Sequence, residues 1–171
     1  MNYHKIEECS INNGVGIRTV LWVSGCDHHC KGCHNPETWD CNSGKLFDES
    51  AKQELFKNLS KPYIDGITYS GGDPLHDSNW RDILNLAKEI KEKFPNKTQW
   101  LYTGYTFIQL VLSYDGRGDV LDYIDVLVDG EFVEELRDVT LQFRGSTNQN
   151  IVDINKSSEY GFLKQIEWSS E

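Results

Sequence analysis

The sequence predicts an α/β fold, a partial and open βα barrel of about five or six mostly parallel strands. Three observations carry this prediction. Short runs of β-branched and aromatic residues recur along the chain, each closing on glycine. Amphipathic segments of helical length separate them. At 171 residues the chain is also too short for a closed eight-unit barrel, which usually takes about 250.

The first run, "RTVLWVSG" from Arg18, reads as a strand ending in a turn. A cysteine-rich stretch follows, then "FDESAKQELFKNLSK", where Asp48 or Ser50 can cap a helix that sets Ala51, Leu55, Phe56 and Leu59 on one face. "GITYSGG" from Gly66 is the second strand. "SNWRDILNLAKEIKEKF" places Ile83, Leu84, Ala87, Ile90 and Phe94 at helical spacing, and Pro95 ends it. "QWLYTGY" from Gln99 is the third strand, a third helix covers Thr106 to Tyr114, and "IDVLVDG" from Ile124 is the fourth strand. A fifth strand is expected just before "FRGSTNQ" at Phe143. Strands separated by helices pair in parallel through right-handed crossovers. Every glycine-rich ending then falls on one rim, the C-terminal edge of the sheet, where α/β folds place their chemistry. The polar tail from about Asn155 to Glu171 carries Phe162, Leu163, Ile166 and Trp168 and is either a docked helix or a frayed end. The chain thus divides into one domain over 1–154 and a tail over 155–171.

Hydrophobic residues make up 38% of the chain, enough for a single core. The opening MNYHKIEECS lacks a basic segment followed by an apolar run, and no stretch approaches the roughly eighteen apolar residues of a spanning helix. The expectation is a cytoplasmic protein with no membrane partner. A net charge of −10 and a pI near 4.9 argue against nucleic acid, because affinity for phosphate backbones rests on Lys and Arg displacing counterions. Five cysteines, three of them within eight residues, do not make a secreted disulfide frame. They point to a reducing compartment with Cys9 and Cys41 as free thiols.

The three close cysteines lie in "SGCDHHCKGCHNPETW", where Cys26, Cys30 and Cys33 are spaced C-x3-C-x2-C with His28, His29 and His34 among them. A structural zinc site closes with four Cys or His ligands, often from two knuckles. Here there is one knuckle, and each histidine read singly is an exposed polar group of a loop. A four-iron cluster suits the spacing better, since closely spaced thiolates on a loop can each take a different corner iron. Three thiolates leave one iron open as a reaction site, unless Cys9 or Cys41 supplies a distant fourth ligand.

C-x3-C-x2-C after a first strand, with "GGDP" at Gly71 to Pro74 one βα unit later, resembles the radical S-adenosylmethionine superfamily and its partial-barrel fold. "NGVGIRTVLWVSGC" is similar to the opening of the glycyl-radical-enzyme activases. "SGGDPL", "VLVDGEF" and "RGSTNQ" follow in the order and spacing of those that serve anaerobic ribonucleotide reductases. The resemblance spans roughly residues 1 to 150. It implies a [4Fe-4S] cluster on Cys26, Cys30 and Cys33, with S-adenosyl-L-methionine bound at the open iron. It implies Gly71 and Gly72 against the methionine part, Asp73 near its ammonium group, and Gly32, Cys33 and His34 along the adenosine. It implies reductive cleavage to a 5′-deoxyadenosyl radical that takes hydrogen from a glycine of the partner. No catalytic residue is implied beyond the cluster and cofactor. The partner would be the large subunit of an anaerobic ribonucleotide reductase, and electrons would come from a flavodoxin-like or other low-potential donor.

The chain departs from the activase pattern at Val15 (Pro in the family), at Gly32 (often aromatic), at His34 (commonly Tyr) and at Phe143 (Trp). Arg18, Asp129 and Arg144 read equally well as site residues or as turn caps and ion pairs. Trp22, Trp80 and Trp100 are expected in the core or at its edge. Two rival readings are a radical S-adenosylmethionine enzyme acting on a small molecule, and a zinc-binding interaction module using Cys26, Cys30, Cys33 and His34.

Overall fold

In the computed structural model, which describes residues 1–160 and 164–166, one seven-stranded mixed sheet organises the chain. Its strands are β1 (Asn2–Ser10), β2 (Arg18–Val23), β3 (Lys45–Leu46), β4 (Gly66–Gly71), β5 (Thr98–Tyr102), β6 (Val126–Asp129) and β7 (Asn150–Asp153). Their spatial order is β3-β1-β2-β4-β5-β6-β7. The four centre strands β2, β4, β5 and β6 pair in parallel. The flanking strands β1, β3 and β7 are antiparallel. The strand count is therefore seven rather than five or six, and the parallel part is the centre.

The helices fall where the apolar spacing puts them. In α1 (Glu49–Leu59) the Asp48 carboxylate accepts from the Ala51 N–H at the N-cap, which settles the choice between Asp48 and Ser50. In α2 (Trp80–Lys93) the buried face is Trp80, Ile83, Leu84, Leu86, Ala87 and Ile90. The third helix, α3 (Phe107–Val111), ends before Tyr114; Thr106 and Gln109 close a capping box at its start. The final α4 (Ile154–Tyr160) begins directly after β7.

Strand alternation gives the sheet two unlike faces. Leu21, Tyr69, Leu101 and Leu127 are aligned in register across the four parallel strands. All are fully buried, and they pack with Leu55, Leu59, Ile83, Ala87 and Ile90 of the helices into the main core. Burying each such side chain contributes about 1.5–3 kcal/mol. The opposite face carries only a small cluster of Trp100, Val126, Val128 and Ile151, joined by Tyr102, Phe143 and Ile166. That face is left to hold a cleft.

Arg18, undecided from the sequence, lies wholly buried on the thinner face. Its guanidinium donates to Thr68 Oγ1, Thr98 Oγ1 and the carbonyls of Val15, Ile67 and Thr98, and it stacks over Trp100. Burial lowers its pKa to about 10, so the group stays charged at neutral pH. Its donors tie three strands together, a structural role. Trp80 and Trp100 are buried as expected, while Trp22 is half-buried and donates from Nε1 to Glu7.

Two expectations are corrected. No strand precedes Phe143: Glu131 to Arg144 is irregular apart from one 3₁₀ turn at Glu134–Leu136, and the strand follows "RGSTNQ" as β7. The β-favouring run "VTLQF" is overridden because this segment bends over the sheet, with Phe143 forced to φ 56°. The strand β1 was not foreseen, since its polar, half-exposed sequence has no two-period signal. In the tail, the Ile166 N–H donates to the Ile151 carbonyl and Asp153 N–H to the Lys164 carbonyl, so 164–166 dock on β7. Phe162, Leu163 and Trp168 lie outside the described residues.

The Tyr69 hydroxyl donates to Gln99 Oε1 at 2.6 Å inside the core, and the Gln99 amide in turn donates to the Ala87 and Tyr123 carbonyls. Tyr69→Phe leaves that buried oxygen without its donor, so stability should fall by about 1–3 kcal/mol. Urea unfolding with unchanged far-ultraviolet circular dichroism measures it.

Candidate functional site

The register of the parallel strands brings their C-terminal ends to one level, and the loops that leave them enclose a cleft of about 350 Å³. After β2 come Cys26, His28, Cys30, Cys33 and His34; after β4, Gly72 and Asp73; after β5, Thr103 and Gly104; after β6, Gly130, Glu131 and Phe132. Ser70, Gly71, Tyr102 and Val128 line it from the strands, and Asn13, Gly145 and Gln149 from the covering loops. Five glycine-bearing turns thus converge on the three thiols. Of the residues singled out in the sequence, Cys26, Cys30, Cys33, His34, Gly71, Gly72 and Asp73 meet here. Gly32 is exposed and absent from these walls; at φ 72° it packs against Glu134 instead.

The double glycine has an internal cause. A Cβ on Gly71, at φ 108°, would stand 2.6 Å from the Val23 backbone, and one on Gly72 would stand 2.6 Å from the Gly25 carbonyl oxygen. The turn after β4 is pressed onto the start of the cysteine loop, with Gly72 N–H donating to Val23 and Asp73 N–H to Gly25. Close approach of two backbones, rather than of a ligand, already excludes side chains here.

Asp73 is buried and fully engaged. Its carboxylate accepts from Leu75 N–H (2.7 Å), Gly104 N–H (3.0 Å) and the Thr103 hydroxyl (2.9 and 3.0 Å), and pairs with His28 Nε2 at 2.8 Å. The other ring nitrogen of His28 meets Glu131 at 2.9 Å. The hydrogen bond that His28 donates to Asp73, with the one to Glu131 adding to it, holds the imidazole up to about 9 despite partial burial, so the ring is a cation at neutral pH. His28 is the site residue the sequence did not reveal: read alone it was an exposed loop polar group. Its one visible signal was its position between two cysteines.

All five cysteines are free thiols. Burial pushes Cys26 up to about 11 and also raises Cys30, whose sulfur the Phe132 N–H faces. Cys9 is exposed on β1, and Cys41 sits in a neighbouring groove with His29, His76 and Asp27. Neither lines the cleft. Among the described residues no group of three His, Cys, Asp or Glu is gathered tightly around a single metal-ion position. Trp39 borders the cleft, and its Nε1 is buried without a hydrogen-bond partner. Asp129 and Arg144 are both engaged by the protein: Asp129 accepts from Phe107 and Asn150, and Arg144 donates to the Gln149 carbonyl.

Three thiols on one loop, over the C-terminal ends of the parallel centre strands, define an α/β protein with a cysteine-loop site. The family model of the 4Fe-4S single cluster domain matches residues 12–152. The chain is 43% identical over 151 residues to the anaerobic ribonucleoside-triphosphate reductase-activating protein of Enterobacteria phage T4, covering 88% of this chain and 93% of that one. To the proteins of the same description from Escherichia coli K12 and Vibrio cholerae it is 44% and 42% identical, covering 87% and 88% of this chain and 96% and 97% of theirs. The chain belongs to the 4Fe-4S single cluster family and, within it, to the anaerobic ribonucleoside-triphosphate reductase-activating proteins.

Gly72→Ala would drive a Cβ against two main-chain oxygens, 2.6 Å from Gly25 and 3.0 Å from Thr38. Neither can swing aside. The metal-free protein should lose about 1–3 kcal/mol, a fall in Tm of roughly 3–10 °C readable by thermal unfolding.

Proposed function

We propose that this protein activates an anaerobic ribonucleotide reductase by installing a glycyl radical on its large subunit, through reductive cleavage of S-adenosyl-L-methionine at a [4Fe-4S] cluster. The observation that carries the reading is the meeting of Cys26, Cys30 and Cys33 with the Gly71–Gly72 turn in one cleft. The residues fit the cluster. The donor set is the three thiols that line the cleft, with Cys9 and Cys41 outside it, and the same cleft is lined by Trp39, whose Nε1 is buried without a partner. When bound and reduced, the cluster supplies one electron that splits the sulfonium bond into methionine and a 5′-deoxyadenosyl radical, which takes the glycine Cα hydrogen to give 5′-deoxyadenosine and a glycyl radical.

The chain's own residues bind, orient and exclude. Cys26, Cys30 and Cys33, which line the cleft, would hold three irons of the cluster and leave the fourth without a protein thiolate. Gly71 and Gly72 offer bare backbone to the methionine part, and Cys33 and His34 line the adenosine side. The His34 ring lies 5.9 Å from that of Phe132, an aromatic wall in place of the family's tyrosine. Gly32, on the left-handed turn that carries Cys33, stands on the adenosine side with Cys33 and His34. Asp73, directly after the turn, stands near the cofactor's ammonium group, its oxygens also shared among protein donors.

A protein substrate fits the surface. The loops that border the cleft carry exposed Ile11, Val15, Leu136 and Val139, an apolar margin on which a partner can seat while its glycine loop enters. The net charge of −10 adds a salt-sensitive association rate. Electrons come from a flavodoxin-like or other low-potential donor.

Anaerobic reconstitution should yield about four irons per chain, with loss of iron in Cys26→Ala, Cys30→Ala or Cys33→Ala and retention in Cys9→Ala and Cys41→Ala. Retention in Cys30→Ala would overturn the ligand set. With dithionite and S-adenosylmethionine, 5′-deoxyadenosine should form slowly alone and at least tenfold faster with the reductase, together with an organic radical signal in electron paramagnetic resonance. Changing the reductase's radical glycine to Ala should remove that signal and leave binding intact. Equal yield from a free glycine peptide would contradict the docked loop.

A further inference from the structure

His28 reaches from the cysteine loop to residues at the exits of three parallel strands. Its Nε2 is 2.8 Å from Asp73 at the end of β4, and its Nδ1 is 2.9 Å from Glu131 beyond β6. Its ring meets Tyr105 edge-on, with centroids 5.0 Å apart. Gly104, at the end of β5, gives it room: a Cβ there would overlap the imidazole ring. One side chain thus ties the arm between Cys26 and Cys30 to the exits of three parallel strands. Asp73 answers from the other side, holding the exits of β4 and β5 together through Thr103 and Gly104 while its backbone N–H donates to Gly25 at the head of the cysteine loop.

We infer that His28 and Asp73 form a positioning pair that sets the cysteine loop in register with the Gly71–Gly72 turn, so that the groups binding the cluster and those binding the cofactor are held in fixed relation. The inferred role is positional, with His28 acting through Asp73. His28 lies two residues from both Cys26 and Cys30, and Asp73 follows Gly72 directly, so their contact is a side-chain link between the two halves of the site, beside the backbone bond from Asp73 to Gly25. The buried ends of the link, with side-chain exposures of 15% and 2%, allow the pair to hold a fixed geometry. Glu131, 56% exposed, is the weaker anchor. This inference rests on the cluster and cofactor reading above and adds a role for two residues of this chain.

The test is a double-mutant cycle on the anaerobically reconstituted chain, read by iron content and by the change that S-adenosylmethionine makes in the resonance spectrum of the reduced cluster. His28→Ala and Asp73→Asn should each keep wild-type iron yet weaken cofactor binding about tenfold. The double variant should be no weaker than either single change within about threefold, because each removes the same link. His28→Gln, whose amide can still donate toward Asp73, should recover most of the affinity, and Glu131→Gln should cost less than threefold. Three results would overturn the inference: loss of iron in His28→Ala, multiplication of the two single effects in the double variant, or a Glu131→Gln defect as large as that of His28→Ala. If the unsubstituted chain assembles the cluster but shows no response to S-adenosylmethionine, the functional reading falls and the inference falls with it. A normal wild-type response with indifferent variants sinks the inference alone.

Discussion

Unbroken parallel register across β2, β4, β5 and β6 is the constraint on which the site depends. Pairing runs Leu21 to Tyr69 to Leu101 to Leu127 without a slip, and a one-residue shift in any strand would turn its apolar set from the helices toward the cleft. Because that row is buried against α1 and α2, the register is held by the main core. The consequence at the other end of each strand is that four loops leave at one height. A site assembled from residues far apart in sequence, Cys26, Gly72, Gly104 and Gly130, needs that common level before any loop detail matters.

Charge is placed with equal economy on the thinner face. Arg18 is buried without a carboxylate partner and is satisfied by hydroxyls, carbonyls and the Trp100 ring. Asp73 is buried with a cationic partner and three further donors. A buried charge without such partners would cost several kcal/mol, so each is bound to the groups around it. The difference lies in what they join. Arg18 ties strand to strand and serves the sheet, whereas Asp73 ties the sheet's rim to the cysteine loop and serves the site.

The glycines show how one residue type answers two demands. From the sequence, Gly71 and Gly72 read as a place for a cofactor to approach. In the fold, both are required by main chain already present, Val23 and Gly25. The same contact that excludes side chains from the turn brings it within hydrogen-bond reach of the loop bearing Cys26. Bare backbone at the cleft is a by-product of that packing, available to a ligand without further cost.

By itself the sequence determined the alternation of strands and helices, the faces that α1 and α2 bury, the rim on which the glycine turns fall, and the three thiols of one loop. These are local signals: a period of two or 3.6, a cap, a spacing between cysteines. Tertiary structure alone decided three other matters. It made Glu131 to Arg144 a covering segment where its β-favouring run suggested a strand. It gave β1 a place beside β2 that its polar sequence does not advertise. It paired His28 with Asp73, 45 residues away. Each of these depends on contacts distant in sequence, and a local pattern carries no record of which distant backbone or charge will stand opposite it.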